Sequence, residues 1–181
     1  MTPTALGPLA ARVARAACMA APFTLPDGRV LDSYFDEYRL GADPQLLHDV
    51  AAALALLVPE GTEVVAGVEL GGIALAVALS AATSLPAAFV RRRPKDYGSH
   101  RQVEGADVAG RRVVLVDDVV RSGTQATAVS TVLCTSGALA VHALCVVERP
   151  LGGRELLAEH GVVLGALLHE RDLPAVAKVA S

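Results

Sequence analysis

Apolar positions along this chain switch between two spacings. Over residues 4–20, Leu, Ala and Val recur at helical intervals with Arg12 and Arg15 among them, which predicts an N-terminal helix. "FTLPDGRVLDSYFDEY" follows, with turn chemistry at Pro26-Asp27-Gly28 between two short β-prone runs, the pattern of a hairpin-like lobe. In "GADPQLLHDVAAALALLV", Asp43 as an N-cap and Pro44 at the first helical position open a helix that stops at Pro59-Glu60-Gly61. Beyond it, "EVVAGV", "AAFV", "RRVVLV" and "ALAVHALCVV" are strand-like runs separated by the helical patterns "GGIALAVALSAAT" and "TQATAVSTVLCTSG". Gly137 stands where a helix C-cap is wanted, and Gly152-Gly153 opens a last helical segment before the terminal strand "GVVLGAL". Strand and helix in repetition predict an α/β fold with a parallel sheet flanked by helices.

One stretch keeps neither period. Arg91 to Asp107, "RRRPKDYGSHRQVEGAD", is charged and contains glycine, and a structureless segment of this length in a compact domain is either disordered or functional.

At 181 residues the chain fits one domain, 1–181, with no linker long enough to divide it. Apolar residues make up 52%, yet only 3% are aromatic and Trp is absent, so the core must be built from Ala, Val and Leu. A net charge of −3 argues against nucleic acid as the main partner, because backbone binding needs clustered cations across a face. Cys18, Cys134 and Cys145 fit neither a disulfide framework nor a zinc spacing and are expected as small buried hydrophobes in a reducing compartment. No apolar run reaches the roughly 18 residues of a membrane span, and no secretory leader is recognisable, so the expected location is cytoplasmic, away from any membrane.

The most informative stretch is "VVLVDDVVRSGTQA", Val113 to Ala126. Two adjacent carboxylates at the end of a buried strand are costly to desolvate without a partner. Ligands of open parallel sheets bind beyond the C-terminal strand ends, which puts Asp117 and Asp118 at a crevice. The amides of Ser122-Gly123-Thr124, at the start of the next helix, suit a phosphate, and Gly123 permits close backbone approach. A ligand carrying both a phosphate and neutral hydroxyls satisfies both features, as a ribose 5-phosphate does. The plainer alternative is an acidic cap on an ordinary strand-to-helix loop.

The order of four apolar residues, Asp-Asp-Val-Val-x-Ser-Gly-Thr, resembles the phosphoribosyl-diphosphate (PRPP) signature of type I phosphoribosyltransferases. Other stretches extend the likeness over about residues 23–173, and the chain is identified as an orotate phosphoribosyltransferase-like member of that family. "VVAGVELGGIALA" is similar to the loop that holds the diphosphate of PRPP, with Gly71 and Gly72 supplying amides; taken alone, the same glycines suit helix packing. "FVRRRPKDYGSHRQVEG" resembles the family's mobile catalytic loop, with Arg91, Arg92, Lys95, Tyr97 and Glu104-Gly105 at matching places and Arg92 where Lys is usual. Such a loop needs cations because charge develops on the departing diphosphate; taken alone, it is a solvated charged surface. "CVVERPLGGRE" resembles the strand end whose arginine, here Arg149, contacts the base, although a salt bridge to Glu148 explains that residue equally well. "FTLPDGRVLDSYFDEYRL" corresponds to the lobe lining the base pocket, through Phe23, Leu25, Gly28, Arg29, Tyr34 and Asp36.

The resemblance implies a type I phosphoribosyltransferase fold: a central mostly parallel sheet flanked by helices, a small N-terminal helix and base-binding hood over about residues 1–40, and a PRPP-binding core over 41–181. It implies transfer of the phosphoribosyl group from PRPP to a nitrogenous base, orotate above all, giving orotidine 5′-monophosphate and diphosphate in pyrimidine biosynthesis. Asp117 and Asp118, with Lys95, carry the catalysis. Val119, Val120, Arg121, Ser122, Gly123, Thr124 and Gln125 cradle the 5-phosphate, while Arg91, Arg92, Lys95, Tyr97, Gly71 and Gly72 serve the diphosphate. Tyr34, Phe35, Arg121 and Arg149 face the base. Mg²⁺ arrives on PRPP with no dedicated protein cage, and the enzyme is a homodimer whose loop 91–107 completes the neighbouring site. Asp27, Leu31, Tyr38 and Arg121 depart from the family pattern around the base, which keeps open a transferase for another base in salvage or secondary metabolism. A noncatalytic PRPP-sensing regulator is the more distant alternative.

Overall fold

The Ala- and Leu-rich opening forms α1 (Pro3–Ala17), which buries Val13, Ala14 and Ala17. The computed structural model describes residues 3–24, 28, 30–94 and 101–174. The chain next reverses through β1 (Cys18–Thr24) and β2 (Val30–Phe35), an antiparallel pair that matches Cys18 to Phe35 and Thr24 to Val30. Successive strand residues point to opposite sides, so Phe35 is buried in the core while its neighbour Tyr34 stacks at 5.5 Å on Phe23. Two short-spaced caps follow. Asp36 accepts hydrogen bonds from the amides of Tyr38 and Arg39 and opens α2 (Glu37–Ala42), and Asp43 does the same for Gln45 and Leu46 at the start of α3 (Pro44–Ala55).

The remaining strands are β3 (Val64–Val68), β4 (Ala87–Val90), β5 (Val103–Gly105), β6 (Arg112–Val120), β7 (Ala140–Glu148) and β8 (Leu164–His169). They form one sheet of order β5-β4-β3-β6-β7-β8, parallel except for the antiparallel edge strand β5. Both faces are covered. Val65, Val114 and Val116 pack with Val13, Leu54, Leu75 and Leu79 on one side; Val64, Ala66, Val113 and Leu115 pack with Val129, Leu133 and Leu157 on the other. Each fully buried Val or Leu contributes about 1.5–3 kcal/mol, and this double burial is why these strands are continuously apolar rather than alternating.

The helices that follow β3 and β6 are α4 (Gly71–Thr83) and α5 (Thr124–Thr135), and they cover opposite faces, α4 through Leu75 and Leu79, α5 through Val129 and Leu133. The gap between β3 and β6 is therefore the point where the winding reverses. It is also where register ends: β3 stays with β6 only from Val64↔Val113 to Gly67↔Val116. The last crossover is α6 (Gly153–Glu159), which packs Leu157 into the core.

Several expectations need correction. The segment 91–107 contains β5; three residues are too few to show an alternation, and Gly105 there has φ +82 and no room for a Cβ, which would lie 2.7 Å from the Ala87 carbonyl. β6 does not stop at the acidic pair but continues beside β7 to the Val120–Glu148 register. The terminal strand starts at Leu164, later than Gly161, which instead turns the chain at φ +74. Of the cysteines, only Cys145 is fully buried, Cys18 is partly covered and Cys134 is exposed. α2, only six residues long, is too short to register as a period.

Candidate active site

β6 outruns β3 by the residues that carry the charge. Past Val116 it keeps β7 on one side and has no strand on the other, so Asp117 and Asp118 stand at the mouth left between β6 and the start of α4. Asp117 is 6% exposed and its Oδ1 accepts from the Asp118 amide at 3.0 Å; Asp118 Oδ1 accepts from the Val119 amide at 2.6 Å. Carboxylates this enclosed require donors or cations about them.

A cavity of about 270 Å³ opens over them. Its floor is Asp117, Asp118, Val119 and Val120, and one wall is Arg121, Ser122, Gly123 and the first turn of α5, Thr124, Gln125 and Ala126. Gly123 takes φ +74 as N-cap and no side chain caps this helix, so its first amides have no intrahelical or capping acceptor. That leaves a helix N-terminus with its positive dipole end at the cavity, the arrangement that receives an anion. Ser122 and Thr124 exchange a hydroxyl hydrogen bond at 3.1 Å beside it.

Tyr34 from the hood, Gly71 from the start of α4 and Arg92 complete the lining. The glycine pair divides its work. Gly71 borders the cavity, whereas a Cβ on Gly72 would lie 2.5 Å from the Val116 carbonyl, so Gly72 lets α4 settle against β6. A cis peptide joins Glu69 to Leu70 at this turn. Arg92 is held to the turn twice, its amide donating to the Glu69 carboxylate at 2.9 Å and its Nε to the Glu69 carbonyl at 3.1 Å.

Other sequence-predicted residues lie elsewhere. Arg91 does not line this cavity; its amide bonds the Gln102 carbonyl at 2.9 Å and fastens the root of the charged loop. Phe35 is a core residue, not a cavity residue, because β2 turns it away from the side that Tyr34 occupies. Arg149 lines a neighbouring cavity of about 640 Å³ with Glu148, Arg154 and His169, and its Nε is 3.2 Å from Glu170. The alternative pairing of Arg149 with Glu148 is overturned: Glu148 is taken by Arg154, Nε at 2.9 Å and Nη2 at 2.5 Å, and by His169 Nδ1 at 3.2 Å. The Arg154 guanidinium, foremost, holds the Glu148 carboxyl below the usual carboxylate range. Lys95 and Tyr97 lie outside the described residues, as do Leu25, Asp27 and Arg29.

Glu69 and Gln102 are the functional neighbours that sequence reasoning missed. Glu69 had a signal, since it directly follows β3 and is a charge at the C-terminal end of a buried parallel strand. Gln102, whose Nε2 donates to the Arg91 carbonyl at 3.0 Å, had none.

The model of the phosphoribosyl transferase domain family matches residues 39–161, more than half of the chain. This chain belongs to the phosphoribosyltransferase family. The phosphoribosyltransferase is 38% identical over 167 residues to the orotate phosphoribosyltransferase of Nocardioides sp., covering 92% of this chain and 93% of that one. It is 40% identical over 151 residues to that of Halobacterium salinarum, covering 83% and 86%. Among solved structures, the orotate phosphoribosyltransferase of Mycobacterium tuberculosis H37Rv in complex with Fe(III) dicitrate superposes with a TM-score of 0.85 at 28% identity, covering 93% of this chain and 98% of the other. The structure of that protein in complex with PRPP superposes with a TM-score of 0.79 at 26% identity, covering 92% and 97%. The family match begins inside α2 and so leaves out the hood, while the Nocardioides likeness covers 92% of the chain.

Proposed function

We propose that this phosphoribosyltransferase joins orotate to PRPP, giving orotidine 5′-monophosphate and diphosphate in pyrimidine biosynthesis. One observation carries the reading: two adjacent carboxylates, one buried and one half-buried, and an uncapped helix N-terminus share a single cavity at the winding switch of the sheet. A phosphorylated sugar presents hydroxyls to the first and an anion to the second.

In the reaction the base nitrogen gives up its proton to solvent and bonds the anomeric carbon as the bond from that carbon to the diphosphate oxygen breaks, the bonding pair leaving with diphosphate. Asp117 and Asp118 hold the ribose hydroxyls and offset the positive character that grows on the sugar. Val119 to Gln125 receive the 5-phosphate. Gly71 and Arg92 border the place of the diphosphate, with Arg91, Lys95 and Tyr97 of the charged loop closing on it and excluding water. Tyr34 and Arg121 border the base from within the cavity, and Arg149 approaches from the adjoining one.

Magnesium fits this site as a companion of the substrate. The donors at the cavity are two adjacent carboxylates, and among the described residues no group of three His, Cys, Asp or Glu side chains is placed to hold a metal. Asp117 and Asp118 would face such an ion, and it would supply neutralising charge to the departing diphosphate. The same reading makes the enzyme a cytoplasmic homodimer in which loop 91–107 completes the neighbouring site. No helix among the described residues is long and apolar enough to cross a membrane.

A diphosphate-release assay with PRPP, Mg²⁺ and a panel of bases tests the assignment. Orotate should be turned over, and Asp117→Asn should lower kcat/KM at least tenfold, about 1.4 kcal/mol of transition-state stabilisation. Arg121, a cation in a small base pocket, favours one second reading, a different base. Turnover of another base with none of orotate would establish it, and no release with any base would reject both.

A further inference from the structure

Within the phosphate loop the hydroxyls of Ser122 and Thr124 bond each other, and the helix it opens has no side-chain cap. What lies behind it is the start of α6. A Cβ on Gly153 would sit 2.3 Å from the Arg121 carbonyl oxygen, 2.8 Å from Val120 Cγ1 and 2.9 Å from the Gly123 amide nitrogen. From the opposite side, a Cβ on Gly123 would sit 2.6 Å from the Gly153 carbonyl oxygen and 2.9 Å from Gly153 Cα. Two backbones therefore touch with no side chain between them. Gly152 is different. It needs glycine for its φ of +82, but a Cβ there would meet nothing within 4 Å.

The α6 turn is itself clamped. Arg154 donates Nε and Nη2 to the two Glu148 oxygens at 2.9 and 2.5 Å, and Nη1 to the Leu164 carbonyl at 2.7 Å. Those bonds tie the beginning of α6 to the end of β7 and the beginning of β8. The Arg149 amide donates to the Val120 carbonyl at 2.9 Å and ties the end of β7 to the beginning of the loop. A bidentate guanidinium pair is the side-chain contact best suited to fixing an angle as well as a distance.

We infer that the first turn of α6 is the rigid backing of the 5-phosphate loop, with Gly153 and Arg154 as positioning residues for the phosphorylated sugar. This rests on the function proposed above. Amides receive an anion well only if they already point at it when it arrives. Here the pointing is set from behind, by a glycine that admits the loop and an arginine that keeps the glycine in place. The diphosphate turn at Gly71 lies on another helix and does not depend on this contact.

Calorimetry with ribose 5-phosphate and with inorganic diphosphate separates the two halves of the site. Gly153→Ala should weaken ribose 5-phosphate at least tenfold and leave diphosphate within about twofold. Arg154→Ala should show the same selectivity to a smaller extent, with partial recovery in Arg154→Lys. Gly152→Ala should leave both affinities unchanged even where its melting temperature falls. Ribose 5-phosphate affinities within twofold of the unmodified protein in folded Gly153→Ala and Arg154→Ala overturn the inference. Should Gly153→Ala not fold, the Arg154 pair decides by the same criterion. Failure of the unmodified protein to bind ribose 5-phosphate overturns the functional reading itself, and the inference with it.

Discussion

Arg92 donates to Glu69 twice, from its amide to the carboxylate at 2.9 Å and from its guanidinium Nε to the carbonyl at 3.1 Å. The pair joins the turn after β3 to the root of the charged loop: the Glu69 carboxylate anchors the Arg92 backbone, and the Glu69 carbonyl aims the guanidinium. Arg92 is solvent-exposed, and an exposed contact of this kind contributes only about 0–1 kcal/mol to folding. Under the proposed function its effect falls on catalysis.

Glu69→Ala should therefore lower kcat about three- to tenfold while leaving the melting temperature within a degree or two, about 0.5 kcal/mol or less. The KM for the base should not change. Steady-state kinetics beside thermal denaturation check both halves. An equal loss in a stability-matched surface variant would remove the special place of Glu69.

The Glu148–Arg154 pair gives the fold an acid dependence of known sign. Its folded-state pKa is depressed, Arg154 being the largest cause and His169 a smaller one. Glu148 thus stabilises the native state above the unfolded carboxylate pKa of about 4.3, and that contribution is lost as pH falls through the lower, folded value. Urea unfolding from pH 6 down to pH 3 should show stability declining with acid, and Arg154→Ala should flatten the decline. A variant as steep as the unmodified protein would assign the acid sensitivity to other carboxylates.

The three thiols should react in order of cover. Cys134 is exposed; burial raises the pKa of partly covered Cys18; burial pushes Cys145 up to about 12. Since the thiolate is the reactive form, Cys134 should label first with a disulfide reagent at neutral pH. Cys145 should label only on unfolding. Fast labelling of Cys145 in the native protein, read by mass spectrometry, would contradict the packing of β7.

Much of this arrangement is legible in the sequence because its causes are local. The four central strands announce themselves as apolar runs since both faces are covered, and Asp43-Pro44 starts α3 by side-chain capping alone. The acidic pair and the Ser122-Gly123-Thr124 turn were readable as a ligand site for the same reason: charge at a buried strand end is costly without a purpose. What escaped depends on distant partners. Phe35 and Tyr34 are adjacent in sequence, and only the β1–β2 register decides which faces the cavity. The sequence equally allows a salt bridge from Arg149 to its neighbour Glu148, but Arg154, five positions later, takes Glu148 and leaves Arg149 to Glu170. Gly153 looked like a simple helix opener, since its constraint comes from the carbonyl of Arg121 across the fold.

The antiparallel strand β5 has an architectural consequence. Val90 pairs with Val103, and Arg91 and Gln102 bond each other across the same level, so the chain leaves the sheet and returns to it at adjacent points. The intervening segment is closed like a purse at its neck. Doubling the length of such a closed excursion costs only about 0.6 kcal/mol of chain entropy. Descendants of this sequence can therefore lengthen, shorten or rewrite it wholesale while the strands beneath keep their alignment, leaving the part proposed to meet the leaving group free to evolve on its own.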